Sequence, residues 1–271
     1  MKRFFVILVA VMLMCGASAA MEVIEVQSEY VPSPAKVSVA LPAGYDTCGI
    51  KDVRYPVVYM LNGHGGDHTT WGKIADLDSL ATEYGVIIVC PAGLDSWYWN
   101  SPVVPAMRME DYIIKELVPW IDGRYRTRAS REGRAVTGLS MGGHGGLWLG
   151  LRHPDLFANA GSTSGGVDIR PFPKHWNIPS LLGSYDKSRD LWDSHTVINL
   201  VPGIRPGYVN IIFDCGTEDF FYEVNNNMHR ELDRYGIPHT YLTSPGAHNP
   251  AYWRRSIVTQ LQFFRSHFYC D

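Results

Sequence analysis

The segment Gly138-Leu139-Ser140-Met141-Gly142 constrains the fold of this chain more than any other feature. It follows the apolar run Arg134-Ala135-Val136-Thr137 and precedes a helix expected over Gly143 to Arg152. That order is the strand, sharp turn and helix of a nucleophile elbow. A serine hydroxyl is a weak nucleophile until a base removes its proton, and such a turn lifts the side chain to where a histidine can reach it. Gly138 and Gly142 leave room where side chains would collide with the turn, and Gly143, Gly145 and Gly146 let the helix pack closely on the sheet. A glycine-rich turn with an incidental serine would read the same over five residues, so the partners of Ser140 must decide.

An elbow requires a parallel sheet around it, and the chain supplies one. Val23 to Tyr30 and Lys36 to Leu41 alternate apolar and polar residues, as two opening antiparallel strands would. Short apolar runs follow at Pro56 to Leu61, Val86 to Cys90, Arg134 to Thr137, Ala158 to Ser162, Val209 to Phe213 and Thr240 to Thr243. Runs such as Val57-Val58-Tyr59-Met60 suit strands covered on both faces. Helices are expected between and after them, over Thr69 to Tyr84, Met107 to Ile121, Tyr222 to Tyr235 and Tyr252 to Phe268. Alternation of this kind implies an α/β fold, a mostly parallel central sheet with helices on both faces. With 46% hydrophobic and 19% charged residues, 20–271 reads as a single domain. The irregular stretch from Gly165 to about Lys187, with Pro171, Pro173 and Pro179, is expected to roof a site.

The first 19 residues read as a secretory signal: Lys2 and Arg3, an apolar run from Phe4 to Met14, and the small residues Ala17-Ser18-Ala19. The run is shorter than the roughly 20 residues of a membrane span. A secreted or periplasmic location is therefore expected, with no membrane span. The net charge of -3, without a Lys/Arg block, argues against a nucleic-acid partner. Of the cysteines beyond the signal, Cys90 and Cys215 end apolar strands and read as small buried hydrophobes, while a Cys48–Cys270 bridge stays open.

A serine nucleophile needs a base and an acid to orient that base, and both belong at the C-terminal ends of strands. His248 follows the strand Thr240 to Thr243 in a Pro-Gly turn, whereas His229 and His267 fall on helices. Asp219 lies on the loop after Val209 to Phe213, with Asp214 and Glu218 as rivals; Asp214, close to the strand, better suits a structural hydrogen bond. The order Ser140, Asp219, His248 is Ser, acid, His. Backbone donors for an oxyanion are expected from Met141, after the nucleophile, and from His64 in the loop Leu61-Asn62-Gly63-His64-Gly65-Gly66. A phosphate loop is a weaker reading, because no Gly-Lys-Ser/Thr follows. Asp67, His68 and His144 do not make three ligands at metal spacing, so neither metal nor organic cofactor is expected. Trp97, Tyr98 and Trp99 could line an aromatic substrate cleft or serve as ordinary core.

These residues resemble the esterase D-like family of α/β-hydrolases, which includes feruloyl and acetyl xylan esterases of carbohydrate esterase family one, S-formylglutathione hydrolases and mycolyltransferases. The resemblance runs from about Val37 to Phe264. It rests on Tyr59 to Gly66, Ser96-Trp97-Tyr98-Trp99-Asn100, Gly138 to Gly143, Cys215 to Asp219, and Gly246-Ala247-His248 with Trp253. It implies a Ser140, Asp219, His248 triad, an oxyanion hole at His64 and Met141, and a cofactor-free ester cycle. Relatives often carry Leu-His-Gly where this chain has Leu61-Asn62-Gly63, and Gly-Gly-His where it has Gly246-Ala247-His248; neither change removes a reacting group. Export disfavours a cytoplasmic thioester and favours feruloyl or acetyl groups on plant polysaccharides or oligosaccharides. The alternatives are an acyltransferase of the mycolyltransferase type and an inactive carbohydrate-binding relative.

Overall fold

The computed structural model describes residues 21–45 and 52–268. The expected signal, Cys48 and Cys270 lie outside them. Eight strands form one sheet: β1 (Glu22–Val26), β2 (Ala35–Ala40), β3 (Val57–Leu61), β4 (Ile87–Pro91), β5 (Arg134–Gly138), β6 (Asn159–Thr163), β7 (Asn210–Gly216) and β8 (Thr240–Ser244). Their order is β1-β2-β4-β3-β5-β6-β7-β8. β1 and β2 pair antiparallel, β2 joins β4 antiparallel, and every later pairing is parallel. The chain steps from β3 outward to β4 and then returns to lay β5 on the other side of β3. That reversal opens a crevice at the C-terminal ends of β3 and β5, where α/β folds bind ligands.

Strand periodicity divides the core between the two faces of the sheet. Val57, Tyr59 and Leu61 point into one cluster, while Val58 and Met60 point into the other. All five β3 side chains are buried, each aliphatic one contributing about 1.5–3 kcal/mol. The first cluster is covered by helices Met141–Arg152 and Tyr222–Arg234, through Leu147, Leu149, Met228 and Leu232. The second is covered by helices Leu77–Tyr84 and Pro250–Phe268, through Leu80, Ile257, Leu261 and Phe264. This is the α/β-hydrolase architecture.

Several elements differ in detail from the sequence expectation. The helix expected over Thr69 to Tyr84 breaks at Ala75, which is extended, because the Asp76 carboxylate accepts the Ser79 N–H and caps a new helix. The helix expected over Met107 to Ile121 is wound as π over Tyr112–Leu117 before continuing over Val118–Arg124. Pro119 has no N–H to offer the Lys115 carbonyl and crowds it, which favours the wider turn. Cys90 and Cys215 are free and buried, and burial pushes both thiols up. Among the described residues no helix is long and apolar enough to cross a membrane.

Candidate active site

Ser140 occupies the turn between β5 and helix Met141–Arg152 with φ 58° and ψ -117°. A non-glycine residue in such a region costs about 1–3 kcal/mol and persists only where its surroundings impose it. Here the Ser140 N–H donates to the Thr163 carbonyl at 3.0 Å, and the Ser140 carbonyl accepts the His144 N–H at 3.0 Å. A Cβ on Gly142 would collide with the Leu61 carbonyl, so the elbow can lie against β3 only with glycine there.

The structure brings Ser140, His248 and Asp219 into one hydrogen-bonded line. His248 Nδ1 lies 2.8 Å from Asp219 Oδ2, and His248 Nε2 lies 2.9 Å from Ser140 Oγ. A carboxylate only accepts, so Nδ1–H donates to Asp219 and Nε2 is left to accept the Ser140 hydroxyl. The other Asp219 oxygen accepts the Phe221 N–H at 2.8 Å, which fixes the carboxylate plane. Of the two rivals for the acid, Asp214 is engaged elsewhere. It accepts from Thr163, Ser256 and Gln260 at 2.6–2.7 Å, tying β6 and helix Pro250–Phe268 to β7. Burial raises its pKa, against the opposing pull of these hydrogen bonds.

The loop after β3 faces Ser140. Among the described residues, neither the His64 nor the Met141 backbone N–H donates to a protein acceptor, so both remain for a ligand. Three groups hold that loop in place. Asp95 Oδ1 accepts the Gly65 N–H at 2.6 Å; Asn62 Oδ1 accepts the Gly93 N–H at 2.9 Å; and the Tyr98 hydroxyl donates to the Asn62 carbonyl at 3.0 Å.

The expectation that Trp97, Tyr98 and Trp99 line the cleft is corrected by their placement, since all three are fully buried. The Tyr98 ring lies against the bare backbone of Gly145, where a Cβ would collide with it. Trp97 and Trp99 instead enclose His144, at ring-centroid distances of 5.4 and 5.0 Å. Burial lowers the His144 pKa to about 3, so this imidazole is neutral and structural. Tyr98→Phe should leave the Asn62 carbonyl without its donor and cost about 1–3 kcal/mol, read as a lower urea midpoint; an unchanged midpoint would remove Tyr98 from the bracing of this loop.

Other aromatics wall the cleft, a space of about 320 Å³ that contains His64, Ser140, His248, Trp176, Phe220 and Trp253. Phe220 is 53% exposed, and its ring centroid lies 4.3 Å from that of His248. Trp253 meets the same imidazole edge-on at 5.0 Å. Trp176 comes from the stretch expected to roof the site, and its neighbour Asn177 donates to the Asp95 carbonyl at 2.8 Å. That bond joins the roof to the loop after β4, whose Asp95 side chain in turn holds Gly65 of the loop after β3. Sequence reading located the roof without singling out Trp176; Phe220 carried one signal, adjacency to Asp219.

Known proteins share sequence and fold with this chain. Esterase Rv1288 of Mycobacterium tuberculosis (strain ATCC 25618 / H37Rv) is 32% identical over 240 residues, covering 78% of this chain and 52% of that protein. The chain thus spans about half the length of that relative. An acetyl esterase of Caldicellulosiruptor saccharolyticus is 23% identical, covering 76% of this chain and 82% of its own. A ferulic acid esterase structure superposes with a TM-score of 0.79 at 23% identity, over 92% of this chain and 99% of that one. The Putative esterase family model matches residues 28–264, and the chain therefore belongs to that family.

Proposed function

We propose that this protein is a serine carboxylic-ester hydrolase working through an acyl-enzyme on Ser140. The observation that carries the reading is the line Asp219–His248–Ser140 ending in a cleft beside two unused backbone donors. Ser140 Oγ attacks the ester carbon as His248 Nε2 takes its proton, and the His64 and Met141 N–H groups hold the oxyanion. Collapse expels the alcohol, which receives the proton from His248. Water, deprotonated by the same imidazole, then attacks the acyl-enzyme, and His248 returns that proton to Ser140 Oγ as the acid leaves.

The walls of the cleft support an aromatic acyl group of the feruloyl type on an exported carbohydrate ester. Trp176, Phe220 and Trp253 offer ring faces and edges beside Ser140, and each aromatic contact is worth about 0.5–1.5 kcal/mol beyond area. An acetyl group has no ring to stack on them, and the secretory signal expected in the first 19 residues would place the enzyme among polysaccharide esters. Trp176→Ala and Phe220→Ala should each raise KM for methyl ferulate up to about tenfold and leave KM for a short acetyl ester nearly unchanged. Equal changes for both esters would refute the aromatic acyl site and favour deacetylation.

A further inference from the structure

We propose that His229, Asp233 and His239 form a binding site for a divalent transition-metal ion, zinc above all, apart from Ser140. This departs from the sequence expectation of no metal. His229 and Asp233 stand four residues apart on one face of helix Tyr222–Arg234, and His239 immediately precedes β8. One ligand atom from each lies within 4.8 Å of the others. His229 Nε2 is 3.6 Å from Asp233 Oδ2, and His239 Nε2 is 3.9 Å from Asp233 Oδ1. Bonds of about 2.0–2.2 Å to zinc place tetrahedral ligands roughly 3.3 Å apart, so closure needs small rotations. The His229 and Asp233 side chains, 40% and 62% exposed, are free to make them, while His239 is held at 4%.

The hydrogen bonds independently point to a cation. His239 Nδ1 lies 2.7 Å from the Ile237 carbonyl, so its N–H donates there and its Nε2 lone pair faces the cluster, as in metal-bound histidines. His229 Nδ1 is 2.7 Å from that Nε2 and must donate its own proton to it. His229 Nε2 on the other side of the ring faces Asp233 Oδ2, and only a cation at that position, a metal ion or a second ring proton, reconciles the two acceptors. Among the described residues, the arginines of this helix pair elsewhere, Arg230 with Glu223 and Arg234 with Glu231. A zinc ion would satisfy the two imidazoles and the carboxylate together, leaving its fourth position to water. Helix Tyr222–Arg234 begins just after Asp219 and β8 ends just before His248, so the ion would clamp together the two elements that carry the acid and the base.

The test is Zn2+ titration of the chelator-treated full chain by calorimetry and thermal unfolding, comparing wild type with the His229→Gln/Asp233→Asn double variant. Wild type should bind one Zn2+ whose loss in the double variant is at least tenfold in affinity, with ester turnover at 25 °C unchanged. At Zn2+ about 100 times its Kd, the wild-type folding equilibrium should rise about 100-fold, and the double variant's should not. Mg2+ should shift neither protein. Equal Zn2+ binding by both proteins, no Zn2+ binding by wild type, or an equal shift with Mg2+ would overturn the assignment.

Discussion

Ser140→Ala should lower kcat for ester hydrolysis about a million-fold and leave the thermal unfolding of the protein unchanged. The loss is large because, in the proposed acyl-enzyme mechanism, the hydroxyl oxygen is the atom that bonds to the acyl carbon. The backbone should survive, because φ 58° is imposed by hydrogen bonds of the Ser140 main chain to Thr163 and His144, which alanine keeps. His248→Ala should cost about as much. The double variant should be no worse than either single one, since Ser140 and His248 act as a unit through their 2.9 Å contact. The measurement is kcat on naphthyl acetate for the four proteins. Turnover retained by Ser140→Ala would sink the acyl-enzyme, and additive losses would show that the two residues work separately.

Asp219→Asn should lower kcat about ten-thousandfold while barely changing KM, through the tautomer of His248. The Asp219 carboxylate accepts from two sides, the Phe221 N–H at 2.8 Å and His248 Nδ1 at 2.8 Å. An asparagine must keep its one oxygen toward the Phe221 N–H, which turns its NH2 group toward Nδ1. Nδ1 then has to accept, the imidazole proton moves to Nε2, and Nε2 can no longer take the proton of Ser140. Volume and position hardly change, so the effect isolates proton placement from packing. Steady-state kinetics on the same ester provides the check, and a loss below about tenfold would return the acid role to another carboxylate.

Sequence order made part of this site legible and concealed the rest. Ser140 and His248 stood out because a tight turn after a strand has a local signature in glycine and proline. Asp219 could be ranked above Asp214 because one falls beyond the strand and the other beside it; the three donors around Asp214 show what that proximity means. The run Trp97-Tyr98-Trp99 stayed undecided between cleft and core, since nothing local distinguishes an aromatic lining a cleft from one filling a core. Its burial depends on Gly145 and Gly166, far along the chain, leaving space for the Tyr98 and Trp97 rings. His229 and His239 were equally opaque, because their contact requires the turn after helix Tyr222–Arg234 to fold back beside β7 and β8.

The sequence by itself determined the alternation of strand and helix, the elbow at Ser140 and the chain order of Ser140, Asp219 and His248. Those properties reside in backbone sterics, apolar periodicity and turn chemistry within a few residues. The tertiary structure alone decided which aromatics wall the cleft, which groups brace the loop holding His64, and which imidazoles meet across the edge of the sheet. Those outcomes depend on close packing between residues distant in the chain, where the absence of one Cβ, as at Gly145, admits or excludes an entire ring.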